Sequence, residues 1–404
     1  MSASTETVEN TKAKPKWLRT LNVRESGLII ALIGIVILFQ ILTGGRLLVP
    51  DNIASLIQQN AYVMILAIGM MLVIIAGHID LSVGSTVAMI GGVFGVATMS
   101  WHMNWVLAII LCLLVGLAVG AWQGFWVAYV GIPAFIVTLA SMMIFRGFAQ
   151  LLVGQTISGF SPSFIQIGNG AVPNVLGFTN TPAIGYLEGI TLLLGIAAIV
   201  SFILSQLRAR CLRRAHELEG SPAGMFWARI IFVSLIIALF TFLLANSTGG
   251  FPIILGIVGI LVLLFAWVLG QTPFGRNIYA VGGNYKAAAL SGVNAKAVTF
   301  NVFLIAGVLA SIAGIVVTSR AGAAVANAGQ GYELDAIAAC FIGGAAVTGG
   351  VGKISGAMIG ALIMGVLNIG LSILAVDPAW QQAIKGIVLL GAVAFDLVNK
   401  KRAA

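Results

Sequence analysis

Four groups of residues in this 404-residue chain could do chemistry, and none forms a catalytic set. The first is GHIDLSVGS, Gly77–Ser85, with a histidine, a carboxylate and two hydroxyls between long apolar runs. A carboxylate at such depth is costly unless it is capped, paired or hydrated. Asp80 or Ser82 can cap the amide end of a following helix. That structural role is the simpler reading, and direct contact with a polar cargo is the sharper one. His78 and Asp80 could begin a metal site, but no further ligands cluster near them in the sequence. The second group, Gly349–Ile354, looks like a phosphate loop and departs from one. The pattern G-x-x-x-x-G-K-[ST] requires Gly at 347 and Ser or Thr at 354, where this chain has Val347 and Ile354. Any ATP-driven work therefore needs an ATPase on another chain.

The third group is Arg146 alone, inside an apolar run. An interior ion pair with Asp80 or Glu333, or snorkelling to a wet surface, is the plainer account; a substrate contact is the alternative. The fourth is a late polar inventory: Glu333, Asp335, Asn368, Ser372, Gln381, Gln382 and Lys385, with Trp380. Planar amides, carboxylates and an aromatic plate facing a bundle interior suit a polyol path. Each also serves as an interhelical hydrogen bond worth about 0.6 to 2 kcal/mol. Three scattered histidines (His78, His102, His216) supply no nucleophile, base or metal cluster, which argues against a membrane enzyme.

The elements that position these groups are membrane spans. The chain is 60% hydrophobic and 8% charged, with 50 glycines, where a soluble domain carries roughly 25% charged residues. Apolar runs of about 18 to 25 residues recur along it, each able to cross a hydrocarbon layer of about 30 Å. The fold class is therefore all-α, a polytopic helical membrane protein. No alternating ten-residue segments of a β-barrel appear. Spans are expected near Ser26–Thr43, Ala54–Ala76, Val83–Met99, Trp105–Tyr129, Ala134–Val153, Tyr186–Leu207, Phe226–Ala245, Pro252–Gly270, Ala297–Ser319, Glu333–Val347, Ile354–Leu374 and Ala379–Val398. A tail of residues 1–25 precedes the membrane domain 26–398, and residues 399–404 follow it. The first span is expected to persist, because no early apolar run ends in a cleavage site.

The net charge of +9 is distributed in a way that argues against nucleic acid. Sixteen of the 21 lysines and arginines fall in the N-terminal tail, Leu207–Arg229, Gln271–Lys296 and Lys400–Arg402, the positive-inside signature of cytoplasmic loops. Alternation from a cytoplasmic N-terminus then gives twelve crossings with both ends inside. Ten is the alternative, with Gly77–Met99 and Glu333–Val347 as re-entrant halves. The uncharged Gly154–Gly185 stretch is expected as an outside loop. Cys112, Cys211 and Cys340 match neither a disulfide framework nor a zinc site. Gly116, Gly120 and Gly124 form a small-residue ridge for close helix approach, and Gly352, Gly356 and Gly360 form another. Between two spans, Gln271–Lys296 has three basic residues and no acid, and its Tyr285–Ser291 reads as a short helix closed by Gly292. A short cytoplasmic helix of this kind is a lever for a soluble motor.

GHIDLSVGS, GIPAFIVTLASMMIFRG (Gly131–Gly147), FGRNIYAVGGNYKAAALSGVN (Phe274–Asn294) and ELDAIAACFIGGAAVTGGVGKISGAMIGA (Glu333–Ala361) resemble the permeases of bacterial monosaccharide ABC importers, the ribose, galactose and xylose type. The length and the basic loop at Arg208–Arg214 look most like the xylose or multiple-sugar branch. The resemblance implies a homodimeric or pseudosymmetric channel in the bacterial inner membrane. It implies a periplasmic sugar-binding protein outside and a cytoplasmic ABC ATPase inside, with ATP and Mg on that ATPase and no cofactor on this chain. It also implies that the coupling element contains Gly275, Arg276, Gly282, Gly283, Asn284, Ala288, Ser291 and Gly292. Transport would proceed by alternating access, importing xylose or several aldoses, with Asp80, Ser82, Arg146, Glu333, Asp335, Asn368 and Gln382 as break or pathway candidates. The rival is a proton- or sodium-coupled secondary transporter, which needs ionisable groups at midplane. The acids here are expected at span ends or breaks.

Overall fold

The computed structural model describes residues 23–181, 185–216 and 222–403. Residues 1–22 of the basic N-terminal tail and residues 217–221 of the Leu207–Arg229 loop lie outside the described residues. Long helices dominate: α1 (Val23–Leu42), α2 (Pro50–Ile75), α3 (Val83–Gly95), α4 (Trp105–Phe125) and α5 (Ala134–Val153). Next come α6 (Pro162–Asn169), α7 (Gly189–Ala215), α8 (Ala223–Ala245), α9 (Ile253–Gln271), α10 (Pro273–Gly283) and α11 (Tyr285–Leu290). The last are α12 (Ala295–Ala321), α13 (Tyr332–Ile342), α14 (Ile354–Ile373) and α15 (Pro378–Ala403). One π-helical turn each, Val96–Ser100 and Trp126–Val130, extends α3 and α4. Among the described residues, nine helices are long and apolar enough to cross a membrane. The chain is a multi-pass membrane protein.

The core is built on α2 and α12, two helices of 26 and 27 residues that pack together and are buried along most of their length. Helices α7, α8 and α9 bury little. Their exposed leucines and isoleucines, such as Leu193, Leu235, Leu239, Ile260 and Leu263, form the apolar surface that a helix turns to lipid.

Loops gather at two ends of the bundle. At one end, Asp51 accepts hydrogen bonds from Thr248, Asn169 donates to the Arg320 carbonyl, and strand β1 (Ile157–Ser158) pairs with β4 (Ala323–Ala324). The expected loop Gly154–Gly185 is more ordered than its composition indicated. It contains α6, capped by Ser161, and strand β2 (Phe178–Thr181), which pairs with β3 (Gly185–Glu188). At the other end, Gly77, Gly282, Gly349 and Gly350 meet.

Element order repeats with reversed direction. Each central helix ends in a left-handed glycine, Gly77 after α2 (φ 86°) and Gly322 after α12 (φ 61°). An irregular stretch follows each, 77–82 and 322–331, and then a helix starts inside the bundle: α3 and α13. The helix after that packs on the opposite central helix, α4 on α12 and α14 on α2. The first glycine ridge serves the α4–α12 contact: a Cβ on Gly120 would stand 2.5 Å from the Phe303 carbonyl oxygen, and Gly116 lies against Ser311. The second brings α14 close to α13: Gly360 lies against the Ala339 backbone of α13 and Gly356 against that of Gly343 just after it, while Gly352, before α14, lies against Met71 of α2.

Helix α13 is shorter than the expected span Glu333–Val347. It has 11 residues, about 16 Å of rise, half a hydrocarbon layer. The cause is local: Gly343 and Gly344 end it, and the 322–331 stretch that precedes it is rich in glycine and alanine.

Candidate functional site

Gln271–Lys296 folds as two short helices, one more than its sequence pattern indicated. Thr272 accepts from the Gly275 amide at 3.1 Å and Pro273 opens α10. Asn284 breaks the chain, and its Oδ1 accepts from the Ala287 amide at 3.0 Å to start α11. Gly292, at φ 85°, ends α11 in the left-handed region that favours glycine. Asn294 then caps α12 through the Ala297 amide at 3.0 Å. Ala288 is the buried foot of α11, and the Ser291 hydroxyl bonds back to the Ala287 carbonyl. Gly275 is buried against the end of α9, while Arg276 and Gly283 are exposed. The tip of this projection is Leu290, 90% exposed, with Tyr285 and Lys286 exposed beside it.

The base of the projection is held tightly. A Cβ on Gly282 would stand 1.6 Å from the Ile75 carbonyl oxygen at the end of α2. The same carbonyl accepts from the Gly350 amide at 2.8 Å. Tyr279 donates its hydroxyl to the Gly352 carbonyl at 2.7 Å. The α10–α11 projection thus bears on two places at once. One is the start of the 77–82 break before α3; the other is the 343–353 turn that joins α13 to α14. The glycines of Gly349–Ile354 form this junction.

The 77–82 break is stapled to its neighbours. Thr138 on α5 donates to the Ile79 carbonyl at 3.3 Å, and Gln123 on α4 donates to the Ser82 hydroxyl. Asp80, 2% exposed, accepts from the Ser82 amide at 2.8 Å and its hydroxyl at 2.7 Å. Its cap acts one step earlier than expected, on the turn before α3, while Ser82 occupies the N-cap position without a side-chain bond to the helix.

Arg146 reaches the other irregular stretch. Its Nη1 donates to the carbonyls of Ala326 at 3.0 Å and Ala328 at 2.7 Å. It does not pair with Asp80, and Glu333 lies near enough to feel its charge. Gly84, in the first turn of α3, packs against the Gly329 carbonyl and the Glu333 carboxylate. The beginnings of α3 and of α13 therefore abut inside the bundle.

A second cluster gathers on Asp335, in the same first turn of α13 as Glu333. Asp335, 3% exposed, accepts from Tyr62 of α2 at 2.9 Å and forms an ion pair with Lys385 of α15 at 3.2 Å. Tyr62 stacks on Tyr332 with ring centroids 3.7 Å apart. Asn368 donates to Asn60 at 3.0 Å, and its own carbonyl oxygen is buried without a donor. Gln382 is exposed and joins neither cluster. Sequence reasoning missed Tyr62, Tyr332, Gln123 and Leu290. Tyr62 opens an apolar run and Tyr332 stands in a polar glycine-containing stretch, and neither place shows that the two rings meet, whereas a lone leucine closing a short Ala-rich helix was a readable sign.

Residues 52–393 match the family model described as branched-chain amino acid transport system / permease component. The chain is 38% identical over 386 residues to the xylose transport system permease protein of Haemophilus influenzae, covering 95% of this chain and 99% of that one. It is 40% identical over 386 residues to the xylose transport system permease protein of Escherichia coli K12, covering 95% and 94%. The ribose import permease protein of Escherichia coli K12 is 33% identical over 353 residues, covering 87% of each. No solved structure matches.

Proposed function

The chain belongs to this family of permease components and is the membrane subunit of an ABC sugar importer, and we propose that it admits xylose or related aldoses through the polar clusters on α13. A partner ATPase hydrolyses ATP below the α10–α11 projection, and a binding protein delivers sugar at the opposite end. The observation that carries the mechanism is the contact of Gly282 with the Ile75 carbonyl and the 349–350 turn. When the ATPase closes, α11 is carried with it, and α10 moves the end of α2 and the 343–353 turn together. Those two points control the breaks before α3 and after α13, so α3 and α13 shift as one. Packed glycine interfaces permit sliding or rocking of this kind.

The cargo path runs where α3 and α13 begin. Tyr62 and Tyr332 offer aromatic surface for a sugar ring, and Glu333, Asp335 and Lys385 offer hydroxyl partners. The Asp335–Lys385 pair keeps both charges compensated while no sugar is present. Weak binding here allows release inward, and affinity resides in the binding protein. The two-ended sorting of loops supports twelve traversals with both termini cytoplasmic, the short α13 being completed by the irregular stretches beside it. Two copies of the chain form the channel.

The test is reconstitution in nanodiscs with the partner ATPase and binding protein, adding sugars singly. ATPase stimulation by xylose that requires the binding protein is the expected result. Sugar movement driven by a proton gradient in liposomes without ATPase would replace this reading with a secondary transporter.

A further inference from the structure

On the face that carries α10 and α11 there is a cavity of about 520 Å³, within the roughly 300–1,000 Å³ of ordinary ligand sites. Its lining divides into two chemistries. Its polar lining is Arg229 of α8, Lys353, Ser355 and Tyr279. Its apolar lining is Leu28 and Ile29 of α1, Ile359 of α14 and Val351 of the glycine turn. Among the described residues, no acidic residue lines it. Leu28, Ile29 and Ile359 lie one to two turns inside their helices. Ile30, next to this wall, is 70% exposed.

We propose that this cavity binds the headgroup of an anionic glycerophospholipid of the cytoplasmic leaflet. Its phosphate would sit beside Arg229 and Lys353, and an acyl chain would lie along Leu28, Ile29 and Ile359. Basic pockets between transmembrane helices on the cytoplasmic side take such headgroups. A soluble anion would use the cationic part and leave the apolar wall idle. A loop of a soluble ATPase would meet a wall made from membrane-spanning helices. The site has a mechanical consequence, because Tyr279 and Gly352 line the cavity and also hydrogen-bond to each other. Lipid in the cavity braces the contact between α10 and the 343–353 turn, so anionic lipid strengthens coupling. The site rests on the reading that this face is cytoplasmic; its effect on coupling rests on the proposed role of α10.

The test reads lipid retention and transport separately. The full chain, alone and with its ATPase, is equilibrated with mixed phosphatidylglycerol and phosphatidylcholine, and retained lipid is counted by native mass spectrometry. Selective retention of phosphatidylglycerol is expected. Arg229→Gln should lower it about fivefold, and Arg229→Glu by about 25-fold, from roughly one charge interaction per step. Leu28→Trp, which fills the apolar part and keeps both cations, should lower it as well. Competition by inorganic phosphate should leave retention unchanged. Equal retention in Arg229→Glu and the unmodified chain overturns the site. Displacement by phosphate alone overturns the lipid assignment in favour of a free anion. Loss of lipid on adding the ATPase overturns it in favour of a seat for that protein. Sugar-stimulated ATPase activity in phosphatidylcholine nanodiscs, raised several-fold by phosphatidylglycerol in the unmodified chain but not in Arg229→Gln, would establish the coupling effect. Lipid retention without that rise would refute the coupling effect and leave the site standing.

Discussion

Leu290 gives the sharpest test of the coupling assignment. It is 90% exposed at the end of a six-residue helix, and its own fold gains almost nothing from it. Burying a leucine completely is worth about 1.5–3 kcal/mol, and each buried carbon about 0.8 kcal/mol. Leu290→Ala removes three carbons, so docking that buries this side chain should weaken by about 2 kcal/mol, roughly 30-fold in Kd. Thermal stability of the permease should be unchanged, since surface substitutions away from special contacts stay within about 0.5 kcal/mol. The assay is binding of purified ATPase to the chain in nanodiscs, measured by biolayer interferometry with a melting curve beside it. Unchanged affinity would refute the claim that α11 docks through its tip. A lowered melting temperature would show that Leu290 packs on its own chain.

Other perturbations separate transmission from docking and from the path. Gly282→Ala places a methyl where the Ile75 carbonyl stands, so α10 must lift away from α2; overpacking of this kind costs about 1–3 kcal/mol. ATPase binding should persist while sugar-stimulated uptake falls, and normal uptake in a correctly inserted Gly282→Ala chain would sink the transmission route. Lys385→Met leaves Asp335 with only the Tyr62 hydroxyl and should destabilise by about 3–5 kcal/mol, read as a lowered unfolding midpoint in detergent. Lys385→Met with Asp335→Leu should recover much of that loss, and failure to recover would show that the pair does more than neutralise itself.

Several features were legible before any coordinates. Charge sorting along the chain singled out Gln271–Lys296 as a basic segment between two spans, because positive-inside bias is a property of sequence position alone. Asn284 and Gly292 marked the limits of α11, since capping and a left-handed turn depend on residues close in sequence. The glycine ridges of α4 and α14 were visible as spacing, although their partners were not. Arg146 was expected in an ion pair with Asp80 or Glu333, at a wet surface or on substrate; the sequence could not show that it also holds the backbone carbonyls of Ala326 and Ala328, acceptors that no side-chain pattern announces.

Apolar length and the caps of α11 determined by themselves that this chain is a multi-pass helical membrane protein with a short helix between two spans. Such features need only the hydrophobic thickness of a bilayer and hydrogen bonds between near neighbours. Tertiary structure alone decided that Gly282 would meet Ile75 and Gly350, and that Tyr62, Asp335 and Lys385 would share one cluster. It also decided that the start of α3 would face the start of α13. Those residues are tens to hundreds of positions apart, and only the close approach of helices across glycine surfaces brings them within hydrogen-bonding distance.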